Sequence, residues 1–361
     1  MSRLIDAFQK NRNASSLQGS APSVHQLEPK DRGRWDEFVS VCPDATFFHR
    51  AGWQTVIERA LGHKTWFLYA ESGGEIQGVL PLAEINSRIF GHSLSSLPFC
   101  VYGGIAAISE SGREVLDRAA QALASRLKID YLEYRNLKIR HPDWPTKDLY
   151  VTFRKEIDPE VERNMQAIPR KQRAMVRKGI KAGLESTVDE DIERFFFAYS
   201  ASVHRLGTPV FSKKYFRLLK EVFADDCELM IILQGGRTIS GVMSFYFRDE
   251  VLPYYGGGTS EARELAANDF MYWELMRRAC ERGVKIFDFG RSKRNTGSFD
   301  FKKNWGFEPQ RIHYEYQLHR AGTVPDHNPL NPRYQLFIKA WRKLPLPLAN
   351  FIGPYVVRNL G

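Results

Sequence analysis

Apolar positions along the chain follow two spacings that alternate in a regular order. Spacings of three and four predict amphipathic helices, and short runs of apolar, β-branched and aromatic residues predict strands. The predicted helices are 31–40, 51–60, 113–127, 190–205, 213–223, 264–281 and 298–304. The predicted strands are 65–70, 76–85, 100–107, 129–134, 229–233, 238–247, 251–256, 284–289 and 311–318. Each half of the chain therefore contains early antiparallel hairpins and a long helix between two late strands, which differs from the alternation of a doubly wound sheet.

Several positions in the first half recur in the second half at a constant offset. Five residues recur 163 positions later, Phe48, Trp53, Ile76, Gly78 and Val79 as Phe211, Phe216, Ile239, Gly241 and Val242. Tyr102-Gly103-Gly104 returns as Tyr255-Gly256-Gly257, and the strand 129–134 returns as 284–289. A repeat of this length is typical of a duplicated domain rather than of a solenoid. We therefore expect a functional site at or beside the junction of the two halves.

Composition indicates a globular protein, with 43% hydrophobic and 26% charged residues among 361. No run approaches the roughly 20 apolar residues that span a bilayer. Residues 1–23 lack the apolar core of a signal peptide and are interpreted as a flexible leader. The four cysteines have neither metal-ligand nor disulfide-framework spacing, so we expect no bound metal and a cytoplasmic location.

The formal charge of +10 is concentrated in two segments. Residues 170–183 carry six basic side chains and residues 333–361 carry five, and neither segment contains an acid. In 170–181, Arg170, Arg173 and Arg177 follow helical spacing, so one helical face is basic. Local basic patches indicate anionic partners, although a solvated face is the plainer interpretation of each. Because aromatics are not interleaved, the first patch favours a pyrophosphate-bearing acceptor over RNA.

The order of elements and five sequence motifs resemble the FemA/FemB/FemX-like transferases, which carry the GNAT acyltransferase fold twice in tandem. The motifs are Phe48-His49 with Trp53, Tyr102-Gly103-Gly104, PRKQRAMVRKGIKAG, FDFGR and TGSFDFKKNWGF. The tail NPLNPRYQLFIKAWRKLPLPLANFIGP is similar to that of FemAB-like proteins associated with exosortase (PEP-CTERM) and exopolysaccharide systems. The resemblance implies an α/β (α+β) fold of two GNAT-like domains, each a mixed, mostly antiparallel sheet flanked by helices. The expected divisions are a leader 1–23, domains 24–165 and 185–320, a basic linker helix 166–184 and a tail 321–361.

The resemblance also implies an enzyme that transfers an acyl or aminoacyl group to an amine of a cell-envelope or exopolysaccharide-related precursor. No cofactor is held permanently, and the donor is aminoacyl-tRNA, acyl-CoA or acyl carrier protein. The segment GGGTSEARELAAND departs from the turn that binds the coenzyme A pyrophosphate in ordinary acetyltransferases. Two alternatives stay open, which are a GNAT N-acyltransferase that uses acyl-CoA or acyl carrier protein and a catalytically degenerate pair that binds at the membrane. In the second case, or with a lipid-linked precursor, the tail 333–361 contacts the inner face of the membrane. The alternative for the tail is that Trp341, Phe351 and their neighbours pack across the second domain.

The motifs of the second half supply the candidate catalytic residues. Phe301-Lys302 matches the family pair associated with the donor acyl group, and a lysine there can stabilise an oxyanion. Asp288 ends a predicted strand, where it can orient or deprotonate the attacking amine. Arg291 can hold a carboxylate or phosphate in a bidentate manner. Tyr255 is a candidate general acid, although a core tyrosine is the more ordinary role.

Further residues are candidates for substrate binding. Gly256 and Gly257 lie where the strands of a GNAT fold part to admit the acyl group, and glycine allows close approach of a ligand. Trp53 and Tyr102 belong to the motifs of the first half. The arginines of the basic helix complete the set. For Asp288, the repeat partner is Glu133, so the acid at this place is equally explained as a structural device of the fold.

Overall fold

The structure, a computed structural model, describes residues 21–87, 90–324 and 332–360, and the side chains of 332–334 are outside this description. Most of the predicted leader, residues 1–20, therefore lies outside the described residues. The strands are β1 Ser23–Gln26, β2 Lys64–Ser72, β3 Glu75–Ser87, β4 Gly91–Ser96, β5 Ala106–Ala107, β6 Tyr131–Asn136, β7 Thr146–Lys147, β8 Tyr150–Glu156, β9 Leu184–Asp189, β10 Cys227–Gln234, β11 Arg237–Phe247, β12 Glu250–Gly258, β13 Ile286–Lys293, β14 Gln310–Arg311 and β15 His313–Leu318.

Helices of the two halves pack on these strands. They are α1 Arg32–Val41, α2 Gly52–Val56 (extended by a π-helical turn, Ile57–Leu61), α3 Glu110–Leu127, α4 Val161–Ala167, α5 Arg170–Lys181, α6 Glu193–Leu206, α7 Lys213–Phe223, α8 Ala267–Glu281, α9 Gly297–Asn304, α10 Pro332–Trp341 and α11 Leu346–Val357. Local sequence explains several boundaries. The Ser109 hydroxyl accepts from the Gly112 N–H and begins α3, and Gly207 ends α6 with a φ of +81°.

Two mixed sheets contain these strands in matching order. The first sheet has the order β1-β2-β3-β4-β6-β15-β7, with β5 beside β3, and the second has β9-β10-β11-β12-β13-β8-β14. The hairpins β2–β3 and β10–β11 occupy the same positions in their sheets, and β2 begins 163 residues before β10. The predicted duplication and the α/β fold class are therefore confirmed.

Glycine pairs close the two hairpins, as the sequence predicts. Gly73 and Gly74 have φ values of +59° and +81°, and Gly235 and Gly236 have +53° and +79°. Two successive residues in the left-handed region produce the tight turn whose twist matches the flanking strands, and glycine adopts that conformation without a Cβ clash. The turns therefore fix the register of both hairpins.

The two halves exchange their final strands, which the sequence did not predict. β8 follows the first half in the chain but pairs antiparallel with β13, and β15 follows the second half but pairs antiparallel with β6. The predicted ranges 24–165 and 185–320 therefore each contribute a strand to the sheet of the other. Neither sheet is built from one continuous stretch of chain.

The predicted strand over 100–107 is wrong except at its last two residues. The sheet position belongs instead to β4, and residues 97–105 leave the sheet before β5 returns to pair with β3. Partners from both halves hold this excursion, because the Phe99 carbonyl accepts from the Tyr254 hydroxyl at 2.6 Å and the Gly103 N–H donates to the Arg135 carbonyl at 2.9 Å. Tyr102-Gly103-Gly104 thus lies in a loop, whereas Tyr255-Gly256-Gly257 lies in β12.

The largest hydrophobic core contains residues from both halves. Phe47 stacks on Phe245 with ring centroids 4.5 Å apart and contacts Phe223 at 4.7 Å. Aromatic contacts of this kind add about 1 kcal/mol each beyond the burial of area. A second core lies between the second sheet and α8 and α9, and a third lies between the first sheet and α3. Because the first core is shared and the strands are exchanged, the halves are joined by both packing and pairing.

Candidate active site

The strands of the second sheet separate in its middle. β12 and β13 are parallel and pair only at Glu250 with Ile286 and at Val251 with Phe287. Beyond these pairs a bulge interrupts β12 near Tyr254. The equivalent strands β4 and β6 of the first sheet stay paired over four residues. The opening in the second sheet exposes backbone groups that a substrate can approach.

Lys302 lies beside this opening and binds the backbone of β13. Its helix α9 begins at Thr296, whose hydroxyl accepts from the Phe299 N–H. The Lys302 Nζ donates to the carbonyls of Phe289, Gly290 and Arg291 at 2.7, 3.0 and 3.0 Å. Burial lowers the pKa of Lys302 to about 7, although the carboxylate of Asp288 opposes this change. All three N–H groups of the ammonium are therefore in use.

Phe301, Gly256 and Gly257 lie around the same strands. The Phe301 ring contacts that of Tyr272 on α8 at 5.6 Å. A Cβ atom on Gly256 would lie 2.9 Å from the Tyr272 hydroxyl, and one on Gly257 would lie 2.6 Å from Ser202. The two glycines thus let helices approach both faces of β12 closely.

Asp288 is fully buried between the two halves. Its carboxylate accepts from the Gly290 N–H at 2.7 Å and from the Tyr102 hydroxyl at 3.0 Å, and it forms an ion pair with Arg154 at 3.3 Å. Tyr102 also forms a hydrogen bond with the Thr152 hydroxyl. Burial raises the pKa of Asp288 above 3.8, and the charge of Arg154 opposes that rise. The acid is held firmly by groups from three segments of the chain.

Arg291 lies on the face of the second sheet that is turned towards the first half. Its Nη1 donates to the Tyr314 hydroxyl at 2.8 Å, and its guanidinium lies 4.8 Å from the ring centroid of Tyr150. The side chain stays partly exposed. Tyr314 is on β15 and Tyr150 is on β8, so the exchanged strands position this arginine.

The side chains of Tyr255 and Trp53 are buried in the shared core. The Tyr255 hydroxyl forms a hydrogen bond of 2.8 Å with that of Tyr215, and burial raises the pKa of Tyr255 well above 10. Trp53 is 0% exposed, and its Nε1 has no hydrogen-bond partner among the described residues. Both side chains therefore lie among aromatic neighbours and are buried from solvent. A substrate could contact them only if this part of the core opened.

The basic face of α5 has no acidic partner within the part of the chain that the structure describes. None of the six basic side chains of 170–181 forms an ion pair with the residues that the structure describes. Arg170, Arg173 and Arg177 border a surface depression of about 570 Å³. The opposite face of α5 packs on α8, because Gln172 donates to Asp269 at 2.7 Å and Gly179 lies against Phe270. These arginines are therefore on the α8 side of the second sheet and Arg291 is on its other side.

Several residues of this region escaped the sequence analysis. Thr152 and Arg154 reach Asp288 from β8, a strand that was not predicted. Asp269 accepts from Gln172 and from the Trp305 indole at 3.0 Å, and so ties α5, α8 and α9 together. The alternation of Tyr150, Thr152 and Arg154 with apolar residues was the available signal for β8.

Comparison with protein families identifies the type of domain in the second half of the chain. Residues 170–303 match the family model described as "Acetyltransferase (GNAT) domain", a range that begins at α5 and ends in α9 after Lys302. Together with the tandem arrangement of the two sheets, this match makes the chain an acyltransferase with a GNAT-type fold.

Solved structures are similar to nearly the whole chain. A crystal structure of FemX covers 88% of this chain and 100% of its own, with 15% identity and a TM-score of 0.65. The C-terminal domain (DUF2156) of a putative lysylphosphatidylglycerol synthetase from Agrobacterium fabrum matches 80% of this chain and 92% of its own length, with 12% identity and a TM-score of 0.55. A tandem GNAT protein from the clavulanic acid biosynthesis pathway matches 82% of this chain and 97% of its own length, with 12% identity and a TM-score of 0.51. No curated protein matches the sequence. At these identities the similarity concerns the fold.

Proposed function

We propose that this protein transfers an acyl or aminoacyl group to an amine of a cell-envelope or exopolysaccharide-related precursor. The observation that carries the proposal is the opening between β12 and β13, which lies within the range that matches the acetyltransferase domain. Unpaired strand edges offer N–H and C=O groups. An extended segment of the substrate can form hydrogen bonds with these groups, in the way that an added strand pairs with a sheet edge. The donor carbonyl lies in this opening, near Lys302.

The reaction proceeds by direct attack. The amine nitrogen attacks the carbonyl carbon of the donor ester or thioester, the C–O or C–S bond breaks, and the leaving alcohol or thiol takes up a proton while the amine loses one. Burial raises the pKa of each of the four cysteine thiols, which disfavours a thiolate nucleophile. Catalysis then depends on positioning and on stabilisation of the oxyanion.

Lys302, Asp288 and Tyr255 have different parts in this proposal. Lys302 fixes the carbonyls of residues 289–291 and reaches the oxyanion when the donor oxygen displaces one of them. Asp288 positions this part of β13 through Gly290 and accepts the proton of the amine only if Tyr102 releases it. Tyr255, buried against Tyr215, supports β12 beside the opening.

The turn before α8 bears on the identity of the donor. Ala266 in this turn has a φ of +55°, and the first helical turn holds the buried carboxylate of Asp269. An acid near the helix N-terminus occupies the position at which a pyrophosphate would be stabilised. This arrangement favours aminoacyl-tRNA over acyl-CoA, with acyl carrier protein as the alternative. The arginines of α5 bind the phosphates of a substrate on that side.

The proposed acceptor is an anionic envelope precursor. One similar structure is the C-terminal domain of a putative lysylphosphatidylglycerol synthetase, and that name supports a phosphate-bearing acceptor. The likeness of the tail to exosortase-associated proteins supports an exopolysaccharide-related precursor in particular. A catalytically inactive binding pair is the competing possibility, which is favoured if ligands bind without turnover.

The C-terminal helices support action at a membrane surface. Residues 332–360 contain five basic side chains and no acid, and no helix among the described residues is long and apolar enough to cross a membrane. One side of this helix pair packs on the α6 region, where Ile338 lies against Gly207 and Gly353 lies against Val210, and Trp341 is buried. The other side exposes Leu336, Phe337, Leu348, Phe351 and Tyr355. A basic surface with exposed aromatic residues fits anionic lipid.

A ligand screen tests the proposed function. Thermal stabilisation is measured with coenzyme A, with aminoacyl-tRNA and with a UDP-sugar precursor, because a bound ligand raises apparent stability by mass action. Transfer of a labelled amino acid from aminoacyl-tRNA to the precursor is then measured. We expect stabilisation by aminoacyl-tRNA and by the precursor. Stabilisation by coenzyme A alone would establish the acyl-CoA alternative, and binding without transfer would establish the binding protein.

A further inference from the structure

The two halves carry equivalent acid–arginine pairs that have different partners. In β6, the Glu133 carboxylate binds Arg135 Nε at 2.5 Å, and Arg135 Nη1 donates to the Cys100 carbonyl at 2.7 Å. In β13, the pairing register shifts between Asp288 and Arg291, and Gly290 has a φ of +67°. Asp288 therefore pairs with Arg154, and no carboxylate of the described ranges pairs with Arg291 as Glu133 pairs with Arg135.

One edge of the Arg291 guanidinium is unused. Nη1 donates to the Tyr314 hydroxyl, which itself donates to the Val101 carbonyl at 2.8 Å. Among the residues that the structure describes, Nε and Nη2 have no hydrogen-bond partner, and no carboxylate lies within 4.0 Å. Nε–H and Nη2–H form the edge that binds a carboxylate or a phosphate through two parallel hydrogen bonds. Because the side chain is partly exposed, a ligand can approach that edge.

The surroundings of this edge are basic and aromatic. The Tyr314 ring lies between two guanidinium groups, 5.2 Å from that of Arg135 and 5.9 Å from that of Arg291. The Nζ of Lys293 lies 5.6 Å from the ring centroid of Tyr150 and the Nζ of Lys147 lies 5.5 Å from that of Tyr316. The four cations Arg135, Arg291, Lys293 and Lys147 thus lie near these rings, together with the carboxylate of Glu133. Neighbouring cations add to the attraction of Arg291 for an anion. Partial burial strengthens this attraction further, because water screens the charge of a buried arginine less than that of an exposed one.

We propose that Arg291, held by Tyr150 and Tyr314, binds an oxyanion of a substrate, a carboxylate or a phosphate, where β8, β13 and β15 meet. The site requires the exchanged strands, because the tyrosines that hold the guanidinium come from β8 and β15. It is separate from the arginines of α5, which lie on the α8 side of the same sheet. If the proposed function is correct, this anion is part of the acceptor. The assignment to the acceptor rests on the proposed function, whereas the anion site itself rests on the geometry around Arg291.

Calorimetric titration with inorganic pyrophosphate and with glutarate tests the site, since the two probes separate phosphate from carboxylate recognition. The proteins are the wild type, Arg291→Gln, Arg291→Lys and, as the matched control, Arg118→Gln, which alters an exposed arginine on α3. We expect one of the two anions to bind the wild type roughly tenfold or more tightly than it binds Arg291→Gln, the effect of removing a charged bidentate interaction. Arg291→Lys keeps the charge and loses the two-bond edge, so we expect intermediate binding. We expect Arg118→Gln to bind both anions as the wild type does.

Two results decide between the site and its absence. If neither anion distinguishes the wild type from Arg291→Gln, the proposal is wrong. If Arg291→Gln does not fold, Arg291→Lys replaces it, and wild-type affinity of a folded Arg291→Lys for both anions overturns the bidentate site. Both measurements omit donor and acceptor, so absence of acyl transfer would contradict the proposed function and leave this site in place.

Discussion

The Tyr102 hydroxyl donates to the buried carboxylate of Asp288 at 3.0 Å, although the two residues are 186 positions apart and belong to different halves. Tyr102 reaches Asp288 because residues 97–105 leave the first sheet. The Thr152 hydroxyl and the Arg154 guanidinium approach the same carboxylate from the exchanged strand β8. One buried acid is therefore contacted by both halves and by the exchanged strand, which makes it a sensitive reporter of the junction.

We predict that Tyr102→Phe lowers the free energy of unfolding by about 1–2 kcal/mol, because it removes a buried hydrogen bond to a charged group with little change of volume. Urea denaturation measures the change. Tyr355→Phe, on the exposed side of α11, is the control and should have no effect beyond about 0.5 kcal/mol. Equal stability of Tyr102→Phe and wild type would show that the hydrogen bond does not stabilise the junction.

A second prediction concerns Lys302, which binds three successive carbonyls of β13. Lys302→Met should lower turnover by about 10²-fold, the scale measured when an oxyanion partner is removed, because the strand that borders the opening loses its anchor. The neighbouring Lys303→Met is the matched control, since Lys303 is exposed on the same helix. Turnover is measured by acyl transfer and stability by thermal unfolding. If the two variants have equal turnover, Lys302 has no special part in the reaction.

The sequence predicted the repeated elements well for a physical reason. Apolar periodicity and the glycine pairs at 73–74 and 235–236 are local signals, so the hairpins and α8 were recognisable without knowledge of their partners. The basic face of α5 was equally visible, because the helical spacing of Arg170, Arg173, Arg177 and Lys181 can be read from the sequence without tertiary contacts.

The exchange of β8 and β15 could not be predicted from the same signals. Alternation shows that a segment such as β15 is a strand but does not show which sheet edge it joins, because that depends on pairing with β6 far along the chain. In the sequence, the excursion at 97–105 resembles a strand because Cys100, Val101 and Tyr102 form an apolar and aromatic run, and the structure buries these residues outside the sheet. The strand exchange and the excursion at 97–105 together supply the partners of Asp288 and Arg291. The sequence therefore indicated these two residues as candidates but did not show which groups surround them.

The loop after β6 provides a test of pH dependence. His141 contacts Asp117 at 3.1 Å and Glu315 at 3.4 Å, and although burial opposes protonation, the two acids raise the pKa of His141 to about 9. A histidine whose pKa is raised on folding stabilises the protein fully below its unfolded pKa, near 6.5, and this contribution is lost as the pH rises through about 9.

We therefore predict that His141→Gln costs about 2 kcal/mol at about pH 6 and much less at about pH 9.5, as measured by urea unfolding. His319→Gln, which alters an exposed histidine at the end of the same sheet, is the control and should show no such trend. A penalty for His141→Gln that is constant over this range would mean that the contacts of the neutral imidazole, rather than its charge, matter.

From the basic face of α5 we predict how the affinity for a polyanion depends on salt concentration. Arg173→Ala combined with Arg177→Ala should weaken binding of inorganic tripolyphosphate and reduce the slope of log affinity against log salt by roughly one for each arginine–phosphate interaction that is removed. Arg118→Ala, on α3, removes an exposed arginine that is already paired with Glu114 and serves as the control. Fluorescence competition at several salt concentrations measures the slope. An unchanged slope together with reduced stability would make α5 a structural helix only.

The exposed side of the C-terminal helices makes the last prediction. Phe351 and Tyr355 are 70% and 61% exposed on α11, and the segment 332–360 carries basic charge without acids. Phe351→Ser with Tyr355→Ser should weaken binding to phosphatidylglycerol-containing vesicles by roughly tenfold or more, because aromatic side chains anchor a basic surface at the headgroup level. Val41→Ser, which alters a residue 60% exposed on α1, is the matched control and should bind as the wild type does. Co-sedimentation with anionic and with neutral phosphatidylcholine vesicles, at low and high salt, separates the apolar from the electrostatic part, since salt screens only the latter. If the wild type ignores anionic vesicles, or the double variant binds them equally well, the exposed aromatic residues have another role and the membrane contact is wrong.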